Sequence, residues 1–103
     1  MLNKKISDLL PSFRRYFQEM PILRAWLFGS YSRGEETSDS DIDILVDYDN
    51  SKGLVSLFKM GGMVMDLTEI AGCRVDLVDN RGLKDFARNS VETDKILIYE
   101  RAR

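Results

Sequence analysis

Ile6, Leu9, Leu10, Phe13, Tyr16 and Phe17 recur every three or four positions near the start of the chain, which predicts an amphipathic helix. Pro11 falls inside this pattern and predicts a kink or the first turn of a second piece. Pro21 ends the region. Ile22 to Phe28 is apolar and aromatic apart from Arg24 and reads as a buried strand. Gly29 stops it, a short helical turn follows through Arg33, and Glu35 to Ser40 is a polar loop. Asp41 to Tyr48 reads as a second strand and DNSKG as a turn. Leu54, Leu57, Phe58, Met65 and Ile70 suit a helix from about Gly53 to Ile70, although Gly61 and Gly62 weaken its middle by about 1 kcal/mol each. Arg74 to Val78 is a third strand, NRG a turn, and Leu83 to Arg88 a short helix. Ile96 to Tyr99 suits either a last strand or the end of a last helix. The alternation of helix and strand predicts an α/β or α+β fold with helices packed on a small sheet. Residues 1–103 are the length of one small domain.

Strand periodicity carries the first chemical inference. Side chains on a strand alternate between faces, so Asp41, Asp43 and Leu45 share one face while Ile42, Ile44 and Val46 share the buried one. Carboxylates at i and i+2 lie roughly 6 to 7 Å apart and can converge on one cation. Without a cation they repel each other and raise a pKa. Aspartate is disfavoured in strands, so two so closely spaced need a reason. Asp76, in CRVDLVD, repeats the design: Val75 and Leu77 point one way and Asp76 the other. If the third strand lies beside the second, three carboxylates meet on one polar patch, an arrangement that suits a two-metal phosphoryl-transfer site. Upstream, Gly29 and Ser30 form a turn at which a phosphate can approach the backbone.

Composition narrows the chemistry. The chain has no histidine and one cysteine, Cys73, which excludes a Ser-His-Asp triad, a His-ligated zinc site and an internal disulfide. Any metal must be held by oxygen, which points to Mg²⁺ or Mn²⁺. Neither a Walker-type phosphate loop nor a G-x-G-x-x-G fingerprint is present. A net charge of −2 supplies no strong field toward nucleic acid or anionic membrane. No apolar run is long enough to span a bilayer, and MLNKKISDLLPSF lacks the continuous apolar core of a signal peptide. A reducing cytoplasm is the expected location.

The run from Leu27 to Asp43, with Asp76, resembles the nucleotidyltransferase superfamily that includes DNA polymerase beta, and in particular its minimal, single-domain (MNT) branch. That pattern is an apolar strand, Gly-Ser, a spacer, Asp-x-Asp in a second strand and a third Asp in a later one. Here it reads Leu27-Phe28, Gly29-Ser30, Asp41-Ile42-Asp43 and Asp76. Ser32, Arg33 and Gly34 fill the places of the Ala/Ser-Arg-Gly that follows Gly-Ser in the minimal branch. The resemblance covers roughly Ile22 to Asp79. It implies a polymerase beta-like fold, a small mixed sheet with helices packed on one face. It also implies roles. Gly29 admits the triphosphate, Ser30 donates to a phosphate oxygen, and Arg33 contacts phosphate. Asp41, Asp43 and Asp76 are the catalytic carboxylates and hold two Mg²⁺ ions, with Asp76 helping to deprotonate the acceptor hydroxyl. The implied reaction is attack of that hydroxyl on the α-phosphate of a nucleoside triphosphate, with release of pyrophosphate.

Larger nucleotidyltransferases place the acceptor with a second domain, for which this chain has no room. The minimal branch resembles antitoxins encoded beside HEPN toxins, which transfer AMP from ATP to a tyrosine of the toxin. A HEPN-type partner is therefore implied. The alternatives are a binding module that neutralises its partner by complex formation, and a small-molecule nucleotidyltransferase acting on a compound such as an antibiotic. Simpler readings apply to other residues. Arg33 can instead pair with Glu35 or Glu36, while Glu35, Glu36, Asp39, Asp47 and Asp79 read as solvated loop charges. Met60, Met63 and Met65 read as helix and core packing, and Cys73 as a small buried hydrophobe. Leu83, Phe86 and Tyr99 read as exposed apolar residues able to line an interface.

Overall fold

A computed structural model describes residues 3–83 and 85–102, with the side chains of 85–88 and 90 excepted. Helix α1 (Lys4–Gln18) starts at Asn3, whose Oδ1 accepts from the Lys5 backbone N–H at 2.6 Å. This satisfies one of the donors that a helix start leaves without a partner. The helix runs through Pro11 as one element. The expected interruption does not occur because Pro11 sits on the exposed side, where the carbonyl deprived of its donor can face water. Ile6, Phe13 and Phe17 on the other side are fully buried.

The strands are β1 (Ile22–Phe28), β2 (Ile42–Tyr48), β3 (Val75–Asp79) and β4 (Ile96–Glu100). They form one mixed sheet in the order β3-β2-β1-β4. β1 runs antiparallel to both β2 and β4, and β2 runs parallel to β3. Ile96–Glu100, whose sequence suits either a strand or a helix end, is thus an edge strand. The one-turn helix α2 (Ser30–Arg33) joins β1 toward β2, α3 (Leu57–Ala71) crosses from β2 to β3, and α4 (Asp85–Asp94) precedes β4. The fold is mixed α and β, as the alternation predicts.

The core lies on one face of the sheet. Ile42, Ile44 and Val46 of β2 meet Ala25 and Leu27 of β1, with Phe13 and Phe17 of α1 and Met63 and Leu67 of α3 in the same cluster. Tyr99 belongs to it too, 7 % exposed with its ring 5.5 Å from that of Phe17, so it is a core residue and not an interface residue. Leu83 and Cys73 are half-buried, and the side chain of Phe86 lies outside the described residues.

α3 departs most from the periodicity reading. It begins at Leu57, not near Gly53, because the Ser56 hydroxyl caps it by accepting from the Lys59 backbone N–H at 3.0 Å. Its buried positions are Met63, Leu67 and Ala71, spaced by four. Leu54, Leu57, Phe58 and Met65 all project into solvent, and Ile70 is at the margin. α3 is apolar on most sides, so apolar spacing alone could not say which side packs. Among the described residues no helix is long and apolar enough to cross a membrane.

Candidate active site

The face of the sheet opposite the core gathers the acidic residues. Parallel pairing of β2 with β3 sets Asp43 directly across from Asp76, and antiparallel pairing with β1 sets Phe28 on its other side. The core cluster takes Ile42, Ile44 and Val75, so alternation turns both carboxylates away from it. Asp41 lies one residue before β2. Arg74 ties it to the pair: its Nε is 3.4 Å from Asp76 Oδ1 and 3.8 Å from Asp41 Oδ2.

Leu45 continues the Asp43 face but is completely buried, contrary to a wholly polar face. In the register Trp26 and Val78 flank Leu45 on the two neighbouring strands, so its neighbours on this face are apolar. Lys95, just past α4, adds cover with its Nζ 4.5 Å above the Trp26 ring. The acidic patch is therefore confined to the end of the sheet where β2 begins.

At that end, Gly29 leaves β1 with φ +76° and ψ −155°, a conformation essentially reserved for glycine. A Cβ built on Gly29 would stand 2.5 Å from Asp43 Oδ2. The backbone thus passes against the carboxylate so closely that a side chain at this position is strained by its φ and would displace the Asp43 carboxylate. The Gly29 carbonyl accepts from the Ser32 hydroxyl at 2.8 Å and from the Ser32 and Arg33 backbone N–H groups, which fixes the turn. The Ser30 hydroxyl has no hydrogen-bond partner among the described residues. It starts α2 and is free to donate.

Asp43 is half-buried and its pKa is raised. Desolvation is the first cause, followed by the charges of Asp76 and Asp41, while Arg33 and Arg74 act in the opposite sense. Arg33 is held by two carboxylates, with its Nε 2.6 Å from Glu35 Oε1 and Nη1 3.4 Å from Asp94 Oδ2. The Glu35 pairing is one that the sequence offers; Asp94, 61 positions away, is brought to Arg33 only by the fold.

Among the described residues, no three carboxylates stand close enough together to enclose a cation. The donor set nevertheless fits a hard divalent ion. It offers carboxylate oxygen only, and beside burial, the first cause of the raised Asp43 pKa, the repulsion from Asp76 and Asp41 is what such an ion relieves. Arg74 supplies part of that relief within the protein itself. Sequence reasoning passed over Arg74. The available signal was its position two before Asp76, which puts both on one side of an extended segment. Asp47 is not a solvated loop charge: it lies in β2 and is half-buried. It accepts from Asn80 Nδ2 at 2.8 Å and pairs with Arg24 Nε at 3.1 Å.

Comparison with known proteins is consistent across sequence and structure. Residues 6–99 match the family described as the nucleotidyltransferase domain. Protein adenylyltransferase MntA of Thermococcus cleftensis is 32% identical over 96 residues, covering 92% of this chain and 94% of that protein. A solved structure of a candidate minimal nucleotidyltransferase superposes with a TM-score of 0.77 at 28% identity, covering 93% of this chain and 95% of that one. A toxin–antitoxin crystal structure with AMP-PNP superposes with a TM-score of 0.67 at 27% identity, covering 94% of this chain and 72% of that one.

Proposed function

Since the chain belongs to the nucleotidyltransferase domain family, we propose that it transfers AMP from ATP to a hydroxyl of a partner protein, a tyrosine of a HEPN-type toxin, and acts as that toxin's antitoxin. One observation carries the assignment of the site. Asp43 faces Asp76 across β2 and β3 while the Gly29 backbone presses against the same carboxylate. A buried-edge carboxylate set against another carboxylate and walled by glycine is costly for folding and suited to holding a charged ligand. The relatives support the chemistry and the partner: one is named a protein adenylyltransferase, and a similar solved structure is a toxin–antitoxin with AMP-PNP.

In this reading the Gly29 turn admits the triphosphate, and the Ser30 hydroxyl donates to a phosphate oxygen. Arg33 leaves its partners Glu35 and Asp94 to meet phosphate charge. Asp41, Asp43 and Asp76 would hold Mg²⁺, two ions by the number of carboxylates. Such ions supply charge neutralisation at the attacking and leaving oxygens. Asp76 accepts the proton of the acceptor hydroxyl. The hydroxyl oxygen bonds to the α-phosphorus, the bond from that phosphorus to the bridging oxygen breaks, and pyrophosphate leaves. The acceptor comes from outside the chain, because the sheet face around Asp43 carries no enclosing second lobe among the described residues.

The test uses ATP labelled in its α-phosphate, Mg²⁺, and a HEPN-type toxin expressed from the same genome. Label is expected on the toxin, lost with Asp43→Asn, and moved by toxin Tyr→Phe variants. A tight complex without label, with full neutralisation by the Asp41→Asn/Asp43→Asn double variant, overturns the enzyme in favour of a binding module. Label on a small hydroxylated compound with no partner present overturns the protein acceptor.

A further inference from the structure

The outward side of α3 has no role in the fold or at the acidic site. Leu57 is 85%, Phe58 95% and Met65 74% exposed, and Leu54, just before the helix, is 84% exposed. Phe58, Gly62 and Met65 form one stripe, because they follow the helical spacing of four and three, and Leu57 and Gly61 lie beside it. Gly61 and Gly62 lie in the interior of a helix that glycine disfavours. Neither has an internal reason to be glycine. A Cβ on either meets nothing within 4 Å, and both have ordinary helical φ.

The charges on α3 run against its own dipole. No acidic residue lies in its first turn and no basic residue in its last. Lys59 instead stands near the positive end and Asp66 and Glu69 near the negative end. Lys59 and Glu69 have no ion-pair partner among the described residues. Asp66 accepts from Tyr16 Oη at 2.6 Å while remaining exposed. This arrangement is unfavourable for a lone helix and self-complementary for two antiparallel copies.

We propose that α3 is a homodimer surface, on which two copies of this chain pair their α3 helices antiparallel about a two-fold axis at Gly61-Gly62. In that register residue i faces a residue near 123 − i of the second copy. Phe58 meets Met65 of the other chain, the glycine pairs meet at the crossing, and Lys59 flanks Asp66 on the same side of the seam. Each contact occurs twice, as an isologous interface requires. Glycine at the crossing lets the two backbones approach closely. α3 packs on the core face of the sheet, so dimerisation here leaves the Asp43 face of both copies open.

Sedimentation velocity on the full chain without a partner tests this. A concentration-dependent dimer is expected, at least tenfold weaker in Phe58→Asp and in Met65→Asp. Since all these positions are exposed, circular dichroism should show both variants folded. The charge pair gives a sharper signature. Lys59→Glu alone and Asp66→Lys alone should each self-associate less than the parent chain, because each sets like charges together. An equimolar mixture of the two should regain association, because both contacts are then opposite in charge. A chain that stays monomeric up to millimolar concentration overturns the proposal. So does a dimer that is indifferent to Phe58→Asp and Met65→Asp. A monomer that loses only its complex with another protein in those variants overturns it as well, and gives the stripe to that protein.

Discussion

Asp43 and Asp47 lie four residues apart on one face of β2, both half-buried, and their surroundings differ in sign. Asp47 receives the Arg24 guanidinium and the Asn80 amide. Asp43 receives another carboxylate across the ladder and a glycine backbone against its Oδ2. The first arrangement pays for burial with donors, so Asp47 serves to tie β1, β2 and the turn after β3 together. The second leaves like charges facing one another, offset only in part by Arg33 and Arg74. What separates a structural aspartate from a candidate site aspartate here is the company that the sheet register brings, and not residue type, strand or exposure.

That contrast can be broken most decisively by activity. Asp43→Asn is expected to lower adenylyl transfer at least about a hundredfold, because a preorganised charge at the reacting centre is lost. Asp47→Asn is expected to stay within about twofold, as a group that never meets the reacting atoms should. Equal losses in the two variants, measured as initial rates with labelled ATP, would erase the distinction. Gly29→Ala comes next. It forces a Cβ into a left-handed conformation and against Asp43 Oδ2, at a cost of about 1–3 kcal/mol, read as a lower urea midpoint with unchanged slope. Asp47→Ala should cost about 1 kcal/mol through the lost Asn80 hydrogen bond, read in the same titration with activity retained.

The smallest effect concerns pH. Burial, Asp76 and Asp41 raise the Asp43 pKa above its ordinary value, so the folded protein holds a proton there that the unfolded chain has already released. Stability therefore falls as pH rises from the ordinary carboxylate value through the raised one. Asp43→Asn cannot ionise and escapes that loss. Without metal or nucleotide, its melting temperature at neutral pH should exceed that of the parent, an advantage that disappears once the medium is acidic enough to protonate Asp43. A variant less stable than the parent at neutral pH would show that Asp43 is compensated like Asp47. Nucleotide binding should show the opposite trend, strengthening with pH as Asp43 ionises; isothermal titration with ATP and Mg²⁺ across the acid range checks it.

Much of this molecule is legible in local patterns. β1 and α2 fall where apolar runs and glycine punctuation put them, because strand ends and tight turns are decided by a few neighbouring residues. The inward set Ile42, Ile44 and Val46 follows from the period of two alone. The places that misled are those where a distant element chooses between locally equal options. α3 is apolar nearly all round, and only its docking against the sheet picks Met63 and Leu67 over Phe58 and Met65. Pro11 breaks a helix in isolation, yet here its ring faces outward and α1 passes through it. Leu45 belongs by alternation to the acidic face, yet it is buried between the apolar neighbours Trp26 and Val78 that the register supplies. The last segment becomes a strand because β1 offers it a free edge.

The amino-acid order alone settles the donor chemistry. With no histidine, one cysteine and aspartates at Asp41, Asp43 and Asp76, any cation must meet oxygen, and the Gly29-Ser30 turn must precede it on an apolar strand. Composition and spacing are properties of the chain and need no fold. Which carboxylates face one another, that Arg74 stands between Asp41 and Asp76, that Asp94 reaches Arg33, and that Asp47 is satisfied while Asp43 is not, are decided by the parallel pairing of β2 with β3 and by the packing of distant segments. Electrostatic environment depends on neighbours in space, and those exist only once the sheet has formed.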